Sequence, residues 1–120
     1  MADPTELEWI DPTLNEDGSP VAAGEIVSYT VGVRDTSAPG FTPGTYPYGI
    51  TAPPTATSAL LASLTPHLPT GVPLAAAVRA DTAGLDAQGQ PIHSKWTPEV
   101  TFTLATPAPI PQAPTDFKLA

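Results

Sequence analysis

The sequence predicts an all-β domain, and three observations predict it. Seventeen prolines and nine glycines in 120 residues interrupt the chain too often for long helices and favour short elements joined by turns. Several segments alternate polar and apolar residues with the period of two that places one face of a strand in a core and the other in water. Hydrophobic residues make up 41% of the chain and charged ones 13%, which supplies apolar surface for one core of modest size and leaves little for a second.

The elements follow in order. Thr5-Glu6-Leu7-Glu8-Trp9 puts Leu7 and Trp9 on one face and Glu6 and Glu8 on the other, a half-buried strand. Asp11 to Pro20, DPTLNEDGSP, concentrates residues that bond their own backbone or supply turn angles, and reads as a loop. From Glu25 to Asp35 the β-branched or aromatic Val27, Tyr29, Val31 and Val33 recur at every second position, the strongest strand pattern in the chain. Pro47 lies inside the Tyr46, Tyr48, Ile50 alternation and lacks a ladder donor, so the stretch from Ala38 to Pro54 holds an edge strand. Thr57 to Leu64, TSALLASL, has helix-favouring residues at a strand-like length, and both readings stay open.

Leu74, Ala76, Val78 and Ala80 alternate again, and the small alanines predict a central strand pressed against its neighbours. A polar turn is expected from Asp81 to Pro91, then a strand from Glu99 to Leu104 with Val100, Phe102 and Leu104 facing inward. Pro107, Pro109 and Pro111 favour polyproline II and forbid ladder bonding, which makes that stretch a stiff spacer. The expected core is Leu7, Trp9, Tyr29, Val31, Leu64, Val78 and Phe102.

Charge and composition narrow the function classes. Twelve acidic against four basic side chains give a formal charge of −8, which repels a polyanion, so no nucleic-acid partner is expected. The absence of cysteine excludes disulfides, thiolate zinc sites and cysteine nucleophiles. Met1-Ala2-Asp3-Pro4 has neither a basic nor an apolar run, so the expectation is a start without a secretory signal. No apolar stretch nears the roughly 20 residues of a spanning helix, and no membrane partner is expected.

In order, these segments resemble a fibronectin type III domain, an Ig-like β-sandwich. Trp9 in LEW matches the tryptophan of the family's strand B, and Tyr29 and Val31 in SYTVGV match its strand C. Leu64 and Pro66 in SLTP resemble the corner before strand F, Leu74, Val78 and Ala80 the F pattern, and SKWTPEVTF (Ser94 to Phe102) the run into strand G. The resemblance implies a seven-stranded sandwich with sheets A-B-E and C′-C-F-G. Residues 1–104 then hold strands B to G, 105–112 form the proline-rich spacer, and 113–120 form a tail. Leu74 replaces the tyrosine that opens strand F in the family, and extra residues lie from His67 to Val72, so the family's corner hydrogen bond is not expected.

Strand A should precede Thr5 and is missing there, while Ala113-Pro114-Thr115-Asp116-Phe117-Lys118-Leu119-Ala120 carries its pattern, with Phe117 and Leu119 on one face after Pro114. A chain that begins with B and ends with G starts and finishes at one pole of the sandwich, whereas the A slot begins at the other. Residues 105–120 span at most about 50 Å at 3.3 Å each, and a return along the sandwich needs two passes of roughly 17–20 Å. Docking of the tail in a neighbour is therefore expected over docking in its own domain, and over the remaining reading of QAPTDFKLA as the opening of a following domain.

Other sites are weak. His67 and His93 lie in separate turns without paired ligands, and Asp11, Asn15, Glu16 and Asp17 lack the spacing of a calcium loop, so neither metal nor cofactor is expected. Ser28, Ser58 and Ser94 sit in no nucleophile elbow, and no enzyme is expected. Tyr46, Tyr48 and Trp96 are candidates for an aromatic contact face toward carbohydrate or protein, and Phe41, in the irregular stretch from Asp35 to Gly44, for a loop contact. The loop PTLNEDGSP (Pro12 to Pro20) is similar to that of bacterial and phage versions of the family, and the resemblance extends to components of tailed-phage virions. It implies a non-enzymatic structural protein on the virion's outer surface, a capsid decoration or tail component whose partners are copies of itself or another virion protein. The alternative is an adhesion or carbohydrate-binding module, extracellular or on a bacterial surface.

Overall fold

A computed structural model describes residues 4–106, 111–116, 118 and 119. Among the described residues seven strands form two sheets: β1 (Glu6–Glu8), β2 (Ile26–Asp35), β3 (Tyr48–Ala52), β4 (Ser58–Leu60), β5 (Pro73–Leu85), β6 (Pro91–His93) and β7 (Val100–Thr103). β1 pairs with β4 in the small sheet, and the large sheet runs β3-β2-β5, with β6 and β7 both on the far edge of β5. All the pairings are antiparallel, and only β5 and β6 are joined by a tight turn. The fold is all-β, as expected.

The core lies between the sheets. Val31 and Val33 from β2, Leu74 and Ala76 from β5, Ala59 from β4, and Leu61 and Leu64 beyond it form one buried cluster, with Leu7, Trp9, Tyr48, Val78 and Phe102 packed against it. Tyr29, Ala52 and Ala80 form a second cluster at the opposite end, and Trp9 touches both. Every expected core residue is thus in or against the core, with Val31 and Leu64 at 1% and 0% exposure. β5 is central, hydrogen-bonded to β2 on one edge and to β6 and β7 on the other.

Three expectations require correction. Val27 is 43% exposed, because β2 slips register between Ile26 and Ser28, with Ile26 opposite Thr82 and Ser28 opposite Asp81. This bulge makes Val27 the extra residue and takes it out of the inward series. The stretch from Asp81 to Pro91 is not all turn: β5 continues to Leu85, and only Asp86 to Gln90 reverses the chain, held by Asp86 accepting from the Gln88 and Gln90 amides. Val100, expected inside, is 55% exposed although its register opposite Ala76 turns it to the core side. The space it faces is open.

Thr57 to Leu64 resolves into β4 and a 3-10 turn over Leu61–Ser63. The last edge is split because Pro98 interrupts the ladder; the Ser94 and Thr97 hydroxyls accept from the Ala80 and Val78 amides between β6 and β7. The seventh strand comes from this split. The described tail residues contribute no strand.

Candidate functional site: an open groove beside β1

The pairings place the chain's two ends at one pole. Glu6 opens β1 opposite Leu60, the last residue of β4, and Thr103 closes β7 opposite Pro73, the first residue of β5. The Leu61 amide donates to the Thr5 carbonyl and the Gly71 amide to the Leu104 carbonyl at this same end. Trp9 and Tyr29 mark the other pole, their rings 5.4 Å apart. The Tyr29 hydroxyl donates to Asp11 Oδ1 at 2.8 Å, and burial, with that bond, pushes its pKa up to about 12.

Along β1 the small sheet stops. Trp9 donates its amide to Thr57 and Thr5 accepts from Leu61, so the main-chain groups of Thr5, Leu7 and Trp9 point to β4 and those of Glu6, Glu8 and Ile10 point away. Among the described residues no strand pairs with that outer edge. Beside it runs a groove of about 410 Å³ between β1 and the β5–β7 edge, floored by Leu7, Trp9, Val31, Ala76 and Val78 and rimmed by Ile10, Pro98 and Val100. Ile10 is 94% exposed. The Trp9 indole N–H is buried without a hydrogen-bond partner. Glu6 and Glu8 on the outer side of β1 are exposed, so the apolar groove has an acidic border. A second hollow, about 540 Å³, lies between the Pro12 to Ile26 segment and the β5–β6 hairpin.

The described tail residues are not seated in this groove. Residues 111–116, 118 and 119 are all exposed, Pro114 among them, and Leu119 is 99% exposed. Phe117 lies outside the described residues, as do Pro107 and Pro109.

The aromatic candidates divide between the two faces of the large sheet. Tyr48 packs inward on the core. Tyr46 and Trp96 meet on the outer face, ring centroids 4.7 Å apart and edge to face, with the Arg79 guanidinium 4.9 Å from the Trp96 ring. Tyr46 lies where a side chain on Gly32 would stand and donates to Glu99 Oε2 at 2.9 Å. Arg34 binds both oxygens of Glu99 at 2.8 Å. These donors, Arg34 first, hold the Glu99 carboxyl below its ordinary range despite the opposing effect of burial. Phe41 is half-buried, and its carbonyl accepts from Arg34 at 3.3 Å. The cluster is internally satisfied, with a neighbour on each aromatic ring.

The remaining polar candidates are occupied locally. Asp17 accepts from the Ser19 amide and hydroxyl, and these bonds lower its pKa; Asn15 donates to Ser19 and Pro20. Ser28 donates to Asp81 and Ser94 to the Lys95 carbonyl. Among the described residues no three His, Cys, Asp or Glu side chains converge. The open edge beside β1 was legible as a slot the sequence leaves without a strand; the lining of the groove was not, since period-two reading assigns faces but does not say how far Val100 and Ile10 are left uncovered. No protein-family model, curated protein or solved structure matches the chain significantly.

Proposed function

We propose that this chain is a non-enzymatic structural protein of the fibronectin type III kind, built to join a multimeric assembly through residues 113–120. The family reading is supported by strand pairing: β1 with β4, and β3-β2-β5 flanked by β6 and β7, as the B–E and C′-C-F-G grouping requires. The observation that carries the assembly reading is the open apolar groove beside the unpaired edge of β1, in a chain whose exposed tail has the sequence of a strand. An unpaired strand edge over an uncovered core invites another strand.

The setting we favour is the outer surface of a virion, on the resemblance of the domain and its loop DPTLNEDGSP, with other virion proteins or further copies as neighbours. A carbohydrate-binding module would need an open aromatic face, and Trp96 already has Tyr46 and Arg79 against it. Sedimentation velocity on the full chain and on a chain ending at Thr106 tests the proposal. The full chain is expected to form multimers or to bind its particle, and the shortened chain, folded by circular dichroism, to do neither. Unchanged association after the deletion would refute it.

A further inference from the structure

We infer that the groove beside β1 is the acceptor for the tail of a second copy of this chain, in one register. The inference rests on the assembly reading above and adds where the tail goes. The slot lies antiparallel to β1, so an entering strand starts at the Trp9 pole and ends at the Glu6 pole. A chain's own tail leaves from the Glu6 pole, at Thr103 and Leu104, and would have to travel the sandwich and reverse through Pro107, Pro109 and Pro111. A second copy stacked with its Trp9 pole ahead of the tail receives it without reversal.

Facing and charge then select the register. Antiparallel neighbours directly opposite each other share a face, so Phe117 and Leu119 must oppose inward residues of β1. Setting Phe117 opposite Trp9 and Leu119 opposite Leu7 places Lys118 opposite Glu8 and Asp116 opposite the uncharged Ile10. A shift of two residues toward Thr5 places Asp116 against Glu8, and like charges directly opposite destabilise the pair. In the favoured register the outward main-chain groups of Glu8 and Ile10 bond Lys118 and Asp116. Pro114, which lacks an N–H, falls opposite Pro12 beyond β1. Phe117 and Leu119 cover the groove at Val78 and Val100, the inward residues there that the chain leaves half-buried and exposed. Contacts of this head-to-tail kind build rings or open chains.

The cysteine-free sequence makes the test direct. Chains carrying Glu8→Cys and chains carrying Lys118→Cys, both on exposed positions, are mixed and oxidised. Opposed residues lie within disulfide reach, so the expected product is the 8–118 heterodimer, formed at least about tenfold more than with Asp116→Cys in place of Lys118→Cys. Equal yields from the two tail positions overturn the register. An 8–118 link closing within single chains of the Glu8→Cys/Lys118→Cys double variant, at high dilution and in place of dimers, overturns the second copy. If removing the tail abolishes assembly but no 8–118 link forms, this acceptor is wrong and tail-mediated assembly stands; if removal changes nothing, the assembly reading itself fails.

Discussion

Gly32 sits at the centre of the outer face because nothing larger fits beneath Tyr46: a Cβ there would lie 2.6 Å from the tyrosine ring. Gly32→Ala should displace Tyr46 from Trp96 and Glu99 and cost about 1–3 kcal/mol, the usual range for overpacking. Chemical denaturation measures the loss, and Trp96 fluorescence in a Trp9→Phe background reports the displaced ring. Glu99 is the electrostatic counterpart. Its carboxyl is held below the ordinary range by Arg34 and Tyr46, so its contribution is fully present above the unfolded carboxyl pKa of about 4.3 and is lost as pH falls through the lower folded value. Glu99→Gln should destabilise by about 1–3 kcal/mol at pH 7 and flatten the acid limb of stability. An unchanged pH profile would show that the Arg34 pair contributes nothing.

Among the elements, legibility followed the backbone's own regularity. The β2 and β5 faces were readable because Tyr29, Val31, Val33, Leu74 and Ala76 keep a period of two. It failed where geometry departs from that period. The bulge at Val27 has no mark in its residue types, and the polar run after Asp81 masks a strand whose outward side chains need not be apolar. The split last edge shows why Ser94 and Thr97 occupy their positions: their hydroxyls satisfy the Ala80 and Val78 amides where Pro98 interrupts the ladder. Thr97→Val keeps the shape and removes the acceptor. The Thr97 bond is exposed, so water replaces the lost acceptor and the cost should stay within about 0.5–1.5 kcal/mol, read as a lower denaturation midpoint and faster exchange of that amide.

At the scale of the whole molecule, the small sheet is open along the outer edge of β1 among the described residues, and the proposal fills that edge with the tail of another copy. The fold class and the shared pole of the two ends were legible from strand counting alone. So was an unfilled slot beside the first strand, but its lining was not, because Val100, expected inside, is found exposed only when the sheets are placed. The account's central claim is that the outer edge of β1 is completed by another copy's tail. Amide exchange at Glu6, Glu8 and Ile10, whose N–H groups face that edge, followed over a dilution series of the full chain, tests it most directly. Protection of Glu8 and Ile10 at high concentration that disappears on dilution is the predicted result. Fast exchange of these amides at every concentration, or protection that dilution leaves unchanged, would contradict it.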